Sequence, residues 1–472
     1  SSYIPKEDLE AANEQLEGSF SGIGVQFNLQ EDTIYIVDVI SGGPSERAGL
    51  LPGDRIIEVN DTLFVGKDIN NEKVFKKLRG PKGSDVRLGI VRRGTPETLY
   101  FDITREDIPV HSVDIAYMIT PTTGFIAVNS FGANTYSEFL TGLAKLKAQG
   151  MQNLIVDLRG NSGGYLDAAV NMINEFLNKN ELIVYVEGRA YPRYDIRATG
   201  NGSFKNTPLI VLIDEFSGSA SEIFAGAIQD NDRGTIIGRR SFGKGLVQQP
   251  MAFSDGSEVR LTIARYHTPS GRCIQKAYEK GHGEDYENEL LLRYERGEFY
   301  VEDSIRQDGP QYLTSIGRTV YGGGGIRPDI FIPDDSTGVT SYYKEAAFSG
   351  LIAQFCFEVV DQNRETLNEL ETVDQKVEWM DKQNILESFA RYGQKHGLPR
   401  RNLMLQRSRK LFIRAIYSGI IYNSSDMNDY LRYLNQNDPT VQCALDVIRE
   451  GKTFPARAEH TETEAKDSTC VQ

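Results

Sequence analysis

The chain has 472 residues, 39% hydrophobic and 25% charged, enough for a few domains at roughly 100–200 residues each, which excludes a disordered or fibrous protein. Its 66 acidic residues against 52 basic ones leave a formal charge of −14, which repels phosphate backbones and anionic lipid and argues against nucleic acid as a partner. Cys273, Cys356, Cys443 and Cys470 are too few and too scattered for a disulfide framework or a zinc knuckle, so no metal site is signalled.

In chain order, Leu9, Ala12 and Leu16 among charges predict a short amphipathic helix from about Tyr3 to Glu17, inside an N-terminal piece 1–20. The β runs Ile34–Ile40, Arg55–Val59, Val86–Arg92 and Thr98–Thr104 follow, broken by Gly43-Pro44 and Pro52-Gly53-Asp54, with one helix near Asn70–Leu78. They predict a small barrel-like domain over 21–106. Beyond Ile108-Pro109, strands at Gly124–Val128, Asn153–Leu158 and Leu209–Ile213 alternate with helical stretches at Tyr136–Gln149 and Leu166–Asn178, the signature of an α/β domain over 107–338. Further β runs, Thr235–Gly238, Gly245–Pro250 and Glu258–Tyr266, extend it. The charged, Gly-poor segment 275–321 reads as an insertion without a stated role. A helical period then dominates, with Leu351, Phe355, Val359, Leu411, Ile413, Ile416 and Ile420 spaced for one buried face of a C-terminal domain over 339–455. Trp379 belongs to that core. The polar 456–472 is expected to be disordered.

No stretch approaches the roughly 20 apolar residues that span a bilayer. The opening Ser1-Ser2, without Met or a signal-like apolar run, leads to the expectation of a processed or truncated chain whose address lies outside it.

Four motifs could carry chemistry. Asp214 to Ala227 sets Ser217, Ser219 and Ser221 between an apolar strand and a helix, where a serine is exposed and the helix N-terminus favours negative charge. The plainer alternative is that these serines cap the helix, with Glu222 in its first turn. A nucleophile needs a base, and none of the five histidines has an evident acid partner. A desolvated lysine can serve instead, because stripping its water lowers its pKa toward neutrality. Lys244, in Ser241-Phe242-Gly243-Lys244-Gly245, is the candidate, although Gly-Lys-Gly also suits an exposed turn. Asp157-Leu158-Arg159-Gly160-Asn161-Ser162-Gly163-Gly164 ends an apolar strand, where glycine N–H groups can approach a substrate carbonyl, or can simply turn the chain. A phosphate loop is disfavoured because the Gly-Lys-Ser/Thr signature is absent. In Ser21-Gly22-Ile23-Gly24-Val25, successive N–H groups can hold a chain-terminal carboxylate beside an open strand edge, or form an ordinary turn.

In this order the four stretches resemble the carboxyl-terminal processing proteases, also called tail-specific proteases. The likeness covers about Gly22–Tyr266 and resumes at Gly325-Ile326-Arg327-Pro328-Asp329. The family pairs a Ser-Ala-Ser-Glu nucleophile motif with Phe-Gly-Lys-Gly 25 positions on and a glutamine four further, and Ser219, Lys244 and Gln248 keep both spacings. The resemblance implies an α/β multidomain fold: a PDZ domain, a crotonase-like α/β serine protease core and a helical C-terminal domain. It implies a serine endopeptidase with Ser219 as nucleophile, Lys244 as general base and Gln248 orienting it, and with Gly164 and Ala220 as backbone oxyanion donors, Gly163 being the rival. Gly22, Ile23, Gly24 and Val25 would bind the carboxylate of protein or peptide tails, and Arg79 would be a PDZ sensor. Asp230 reads as supporting structure. No metal or organic cofactor is required. His267, where relatives have an aromatic residue, departs from the pattern, as do the insertion and the C-terminal helices. The resemblance also implies an extracytoplasmic bacterial location, with any membrane tether preceding Ser1, and the C-terminal helices offer a surface for a homo-oligomer. An inert PDZ scaffold for peptides, and acyl-thioester chemistry on the crotonase-like core, remain as alternatives.

Overall fold

Strands such as Leu209–Ile213, apolar at every position, cannot leave either face in water, so they demand helices on both sides of a parallel sheet. The computed structural model, which describes residues 2–30, 32–113, 115–278, 288–304 and 309–455, builds that arrangement. The chain divides into two units, one of Ser1–Leu9, Ala116–Asp334 and Cys443–Gln472, the other of Glu10–Ile115 and Asp335–Gln442.

In the first unit a six-stranded sheet runs in the order Ile115–Met118, Thr123–Ala127, Asn153–Asp157, Leu209–Ile213, Thr235–Gly238 and Ile330–Phe331. Its last five strands are parallel. Asp157 pairs with Leu212, so the loops that leave these two strands emerge side by side at the same sheet end. The helices Thr135–Ala148, Leu166–Asn174 and Ala220–Asp230 follow strands of this sheet; Phe139, Phe176 and Phe224, fully buried, pack edge to face between them. A second, antiparallel sheet holds Ser2–Ile4, Leu182–Gly188, Tyr191–Arg197, Leu246–Ala252 and Glu258–His267. The hairpin Leu182–Arg197 within it escapes the sequence reading, because its outer strand is exposed and charged and has no apolar alternation.

The second unit contains the barrel-like domain and the helices. Strands Val25–Gln30, Thr33–Val39, Arg55–Val59, Asp85–Val91 and Leu99–Thr104 pair in that order, leaving Val25–Gln30 at the edge. Ile34, Ile36, Ile56, Val74, Leu88 and Ile90 form the core. Each of the four predicted β runs lands within one residue of its observed strand at either end, and the predicted helix is Asn71–Leu78. The short helix Pro44–Ala48 goes unpredicted; Pro44 starts it and Gly49, at φ 93°, ends it in the left-handed region.

The C-terminal helices close around Phe355, Phe389, Phe412 and Ile416, with Trp379 half-buried against them. They also rest on the barrel: the Tyr35 and Phe357 rings meet edge to face at 4.8 Å, and the Arg364 guanidinium lies over Gly53, where a Cβ would stand only 3.1 Å from it. The expected far boundary at 455 differs from the observed one, since residues from Cys443 on group with the α/β unit. The hydroxyl of Thr235, on the parallel sheet, donates to the Thr453 carbonyl. The expected disorder of 456–472 lies outside the described residues. Among the described residues no helix is long and apolar enough to cross a membrane.

Phe389→Ala removes a buried ring from the helical core and is expected to cost about 3–5 kcal/mol, read as a lower urea midpoint by circular dichroism. An unchanged midpoint would show that the ring contributes no packing energy.

Candidate active site

Ser219 stands between the strand Leu209–Ile213 and the helix Ala220–Asp230 at φ 54° and ψ −112°, a conformation that costs a non-glycine residue about 1–3 kcal/mol. The strain is held by hydrogen bonds on each side. Asn161, fully buried, accepts the Gly218 N–H at 2.9 Å and the Ser221 hydroxyl at 2.8 Å on its backbone carbonyl. Its side chain accepts the Gly163 N–H at 2.8 Å and donates to the Val128 carbonyl at 2.7 Å. One asparagine therefore ties the loop after Asp157 to the turn that carries Ser219.

That loop brings its glycines against the serine. A Cβ on Gly163 would stand 2.7 Å from the Ser219 Cβ, and one on Gly164 2.1 Å from the Phe131 carbonyl oxygen, so only glycine fits at either place. Gly163 spends its N–H on Asn161. Gly164 forms a parallel bridge to Phe131, in which the bonds run from Phe131 to the Gly163 carbonyl and from Tyr165 to the Phe131 carbonyl. The geometry of such a bridge turns the N–H of Gly164 away from Phe131. Among the described residues neither it nor the N–H of Ala220 has a partner. Two free donors thus flank Ser219.

Lys244 reaches the same place through Glu222. The Glu222 carboxylate, with no solvent exposure, accepts four hydrogen bonds. One oxygen takes the Ser241 hydroxyl and the Gly243 N–H at 2.7 Å. The other takes the N–H of Ser219 at 2.9 Å and that of Lys244 at 2.7 Å, so the two backbone nitrogens lie no farther apart than those two bonds together. Burial pushes the Glu222 carboxyl above the usual range, and the four donors pull it back toward the charged form. Burial also holds the Lys244 amine below the ordinary lysine value of 10.5; the Arg260 guanidinium adds to that push and Glu222 opposes it. Among the described residues no ion pair neutralises the amine, and no hydrogen bond joins it to the Ser219 hydroxyl or to Gln248, which lies on the strand Leu246–Ala252. Among the described residues no cluster could hold a metal ion.

In the second unit, Ile23 and Gly24 donate their N–H groups to no described residue, while their carbonyls accept from Ser45 and Ile40. Gly24, at φ 75°, turns the two donors into a concave nest of the kind that binds anions. The nest lies just before the edge strand Val25–Gln30, whose Phe27 ring meets Phe75 of the helix Asn71–Leu78 at 5.4 Å. The Arg79 guanidinium stacks between the Phe20 and Phe75 rings at 4.4 and 4.5 Å and is ion-paired with Glu14. Its stem passes Gly22, where a Cβ would lie 3.9 Å from the Arg79 Cγ.

Residues 122–287 match the model of peptidase family S41, and residues 21–103 match that of the PDZ domain. Over residues 122–287 the chain is similar to peptidase family S41. It is similar to the carboxy-terminal processing protease CtpB of Bacillus subtilis, 35% identical over 278 residues, which are 58% of this chain and 57% of that one. It is also similar to a probable CtpA-like serine protease of Staphylococcus epidermidis, 34% identical over 276 residues, 58% of this chain and 55% of that one. The chain thus matches little more than half the length of these relatives. A solved photosystem II D1 C-terminal processing protease shares 26% identity, covering 70% of this chain and 77% of that one, with a TM-score of 0.37. The helices of 342–426 match a family of unknown function.

Within the S41 domain the structure brings the backbone of Lys244 to that of Ser219 through Glu222, with the loop of Gly164 and the N–H of Ala220 beside the serine. Gln248 follows Lys244 along the same chain segment without touching its amine. Asp230 is bonded to Arg272 at 2.7 Å and to Ser270, a buried structural pair. His267 stacks on Tyr185 at 4.5 Å with 6° between the rings, so it does the work of an aromatic residue. Two residues of weight escape the sequence reading. Glu222 is legible there only as a helix cap, through its Ser-x-x-Glu spacing from Ser219, and Asn161 only as one polar residue in a glycine-rich turn.

Glu222→Gln conserves size but sets an NH2 donor against two donors. A stability loss of about 1–3 kcal/mol is expected, measured by denaturant titration; an unchanged midpoint would show that the carboxylate is not the link.

Proposed function

We propose that this protein is a serine endopeptidase that holds the C-terminal tail of a protein on its PDZ domain and cleaves peptide bonds near that end through a Ser219–Lys244 pair. The observation that carries the reading is the single Glu222 oxygen that binds the backbone N–H groups of Ser219 and Lys244 together. A tail would lie along the open edge Val25–Gln30, its carboxylate on the Ile23 and Gly24 amides, as edge-strand recognition requires. The half-exposed Phe75 beside Phe27 favours apolar tail residues.

The Ser219 oxygen then attacks the carbonyl carbon of the bond to be cut while Lys244 takes its proton. The oxyanion that forms faces the free N–H groups of Gly164 and Ala220, where loss of one donor costs about 3–4 kcal/mol of barrier. Lys244 returns its proton to the leaving amine as the C–N bond breaks. Water, deprotonated by Lys244, then attacks the acyl carbon, the bond from that carbon to the Ser219 oxygen breaks, and Lys244 returns the proton to that oxygen. Gln248 orients the amine once a tail is bound, a contact that often tightens only in the complex. Chemistry of this kind needs no metal or cofactor. An extracytoplasmic bacterial setting belongs to the same proposal and rests on the family resemblance.

A second reading, an inert tail-binding scaffold, is favoured by one fact: in the free chain no hydrogen bond joins the Lys244 amine to Ser219 or to Gln248. A fluorophosphonate probe separates the two. Covalent labelling of Ser219, lost in Lys244→Ala while the fold persists, is expected; absence of labelling with tail binding intact would leave the scaffold.

Because only the neutral amine accepts a proton, labelling and peptide hydrolysis are expected to rise with pH around a midpoint below the 10.5 of ordinary lysine. A flat profile between pH 6 and 10 would defeat Lys244 as the base.

If the PDZ nest reads a carboxylate, amidating the C-terminus of a tail peptide should weaken binding at least tenfold, about 1.4 kcal/mol, by fluorescence anisotropy. Equal affinity for acid and amide would remove the nest from the proposal.

A further inference from the structure

The charged segment 275–321, which starts inside the stretch matched by the S41 model and runs past its end at residue 287, plants buried charges on the loop 240–245 that carries Lys244. Arg293, on the helix Glu289–Glu295, is 1% exposed. Its two terminal nitrogens donate to the backbone carbonyls of Ser241 at 3.0 Å and Arg240 at 2.6 Å. The Glu298 carboxylate, 2% exposed, faces Arg293 at 3.3 Å and accepts from the Arg240 guanidinium at 2.6 Å. Arg240 in turn donates to the Gly324 carbonyl at 2.9 Å.

The residues next along the loop are gripped from the same side. Lys276 donates its N–H to the Gly243 carbonyl at 2.9 Å, and its ammonium sits 4.0 Å over the Phe242 ring and 3.6 Å from Glu289. The Gln275 side chain accepts the Gly245 N–H at 2.9 Å. From the helix Ala220–Asp230, Glu222 takes Ser241, Gly243 and Lys244. The loop is therefore held between two sets of buried charges, and three glycine or small residues in it leave its backbone little stiffness of its own. Buried ion pairs of this kind are poor sources of net stability, because the desolvation of each charge offsets the attraction, but they define one geometry.

We propose that the helix Glu289–Glu295 and Glu298 buttress the lysine loop, with Arg293 as the positioning residue that keeps Lys244 against Ser219. The buttress touches no substrate. It acts by fixing the Arg240 and Ser241 carbonyls, and through Ser241 the register in which Glu222 receives the Gly243 and Lys244 amides. The groups that act on the Lys244 amine are Glu222 from the nucleophile helix and Arg260 from the strand Glu258–His267, with Lys276, Glu289, Arg240, Arg293 and Glu298 around its loop. A loosened loop lets water reach the amine, and the ammonium form gains.

This inference rests on the Ser219–Lys244 reading, and the test keeps the two apart. In the full chain, Lys244 is titrated by competitive acetylation with acetic anhydride across pH, read by peptide mass spectrometry, and Ser219 by fluorophosphonate labelling. Arg293→Met and Glu298→Gln are both expected to move the Lys244 midpoint upward and to slow Ser219 labelling at neutral pH at least tenfold. The sign is the discriminator. A purely Coulombic influence would raise the midpoint when the cation is lost and lower it when the carboxylate is lost, whereas a loosened loop raises it in both. An unmoved midpoint, or opposite shifts, in folded variants overturns the proposal; if Arg293→Met does not fold, the isosteric Glu298→Gln carries the test. Joint upward shifts in a chain whose Ser219 never labels would sink the peptidase reading and keep the buttress.

Discussion

A carboxylate removed from water is tolerated only when its oxygens are fully hydrogen-bonded, and in this protein that requirement falls on Glu222. Its four donors come from two places in the chain, the turn before the helix Ala220–Asp230 and the loop before the strand Leu246–Ala252. Satisfying the charge therefore fixes how those two places meet. The positive φ at Ser219 and the desolvated Lys244 amine are both consequences, since each belongs to a backbone segment that the carboxylate holds. Asn161 performs the matching task for the loop after Asp157, so that three segments converge on one point without any bond between the Ser219 and Lys244 side chains.

Recognition and chemistry are built on different physics. The S41 domain closes a charged network in a dry interior, where an unpaired group is expensive and geometry is rigid. The PDZ domain leaves groups open: two unpaired amides, an unpaired strand edge, and aromatic rings half in water. Arg79 stands beside these open groups with its charge already answered by Glu14, so the helix before the PDZ domain contributes to the electrostatics around them. The C-terminal helices support the barrel at Tyr35 and Gly53, and Arg364, Asn368 and Tyr422 line one cavity with Gln26 of the edge strand.

Much of this is legible in the sequence. Alternating and continuous apolar runs located four strands of the barrel and four of the six-stranded sheet, because burial on one face or two leaves a periodic signature; the edge strand Val25–Gln30 and the outer strands Ile115–Met118 and Ile330–Phe331 were not read. The spacing of Ser219, Lys244 and Gln248 pointed to the family. What stayed hidden shared a different trait: Glu222, Asn161 and Arg293 are polar residues whose partners lie far along the chain or in segments without periodicity, and the exposed hairpin Leu182–Arg197 carries no apolar pattern at all.

The sequence by itself determined which segments become most of the strands and helices and which glycines can turn a loop, because these depend on local composition and on conformational freedom. Only the tertiary structure decided that Gly164 rather than Gly163 keeps a free N–H, that Glu222 joins the serine turn to the lysine loop, and that a charged insertion braces that loop. Each of these is a question of which donor finds which acceptor, and such pairing is settled by three-dimensional proximity among buried groups that must all be satisfied at once.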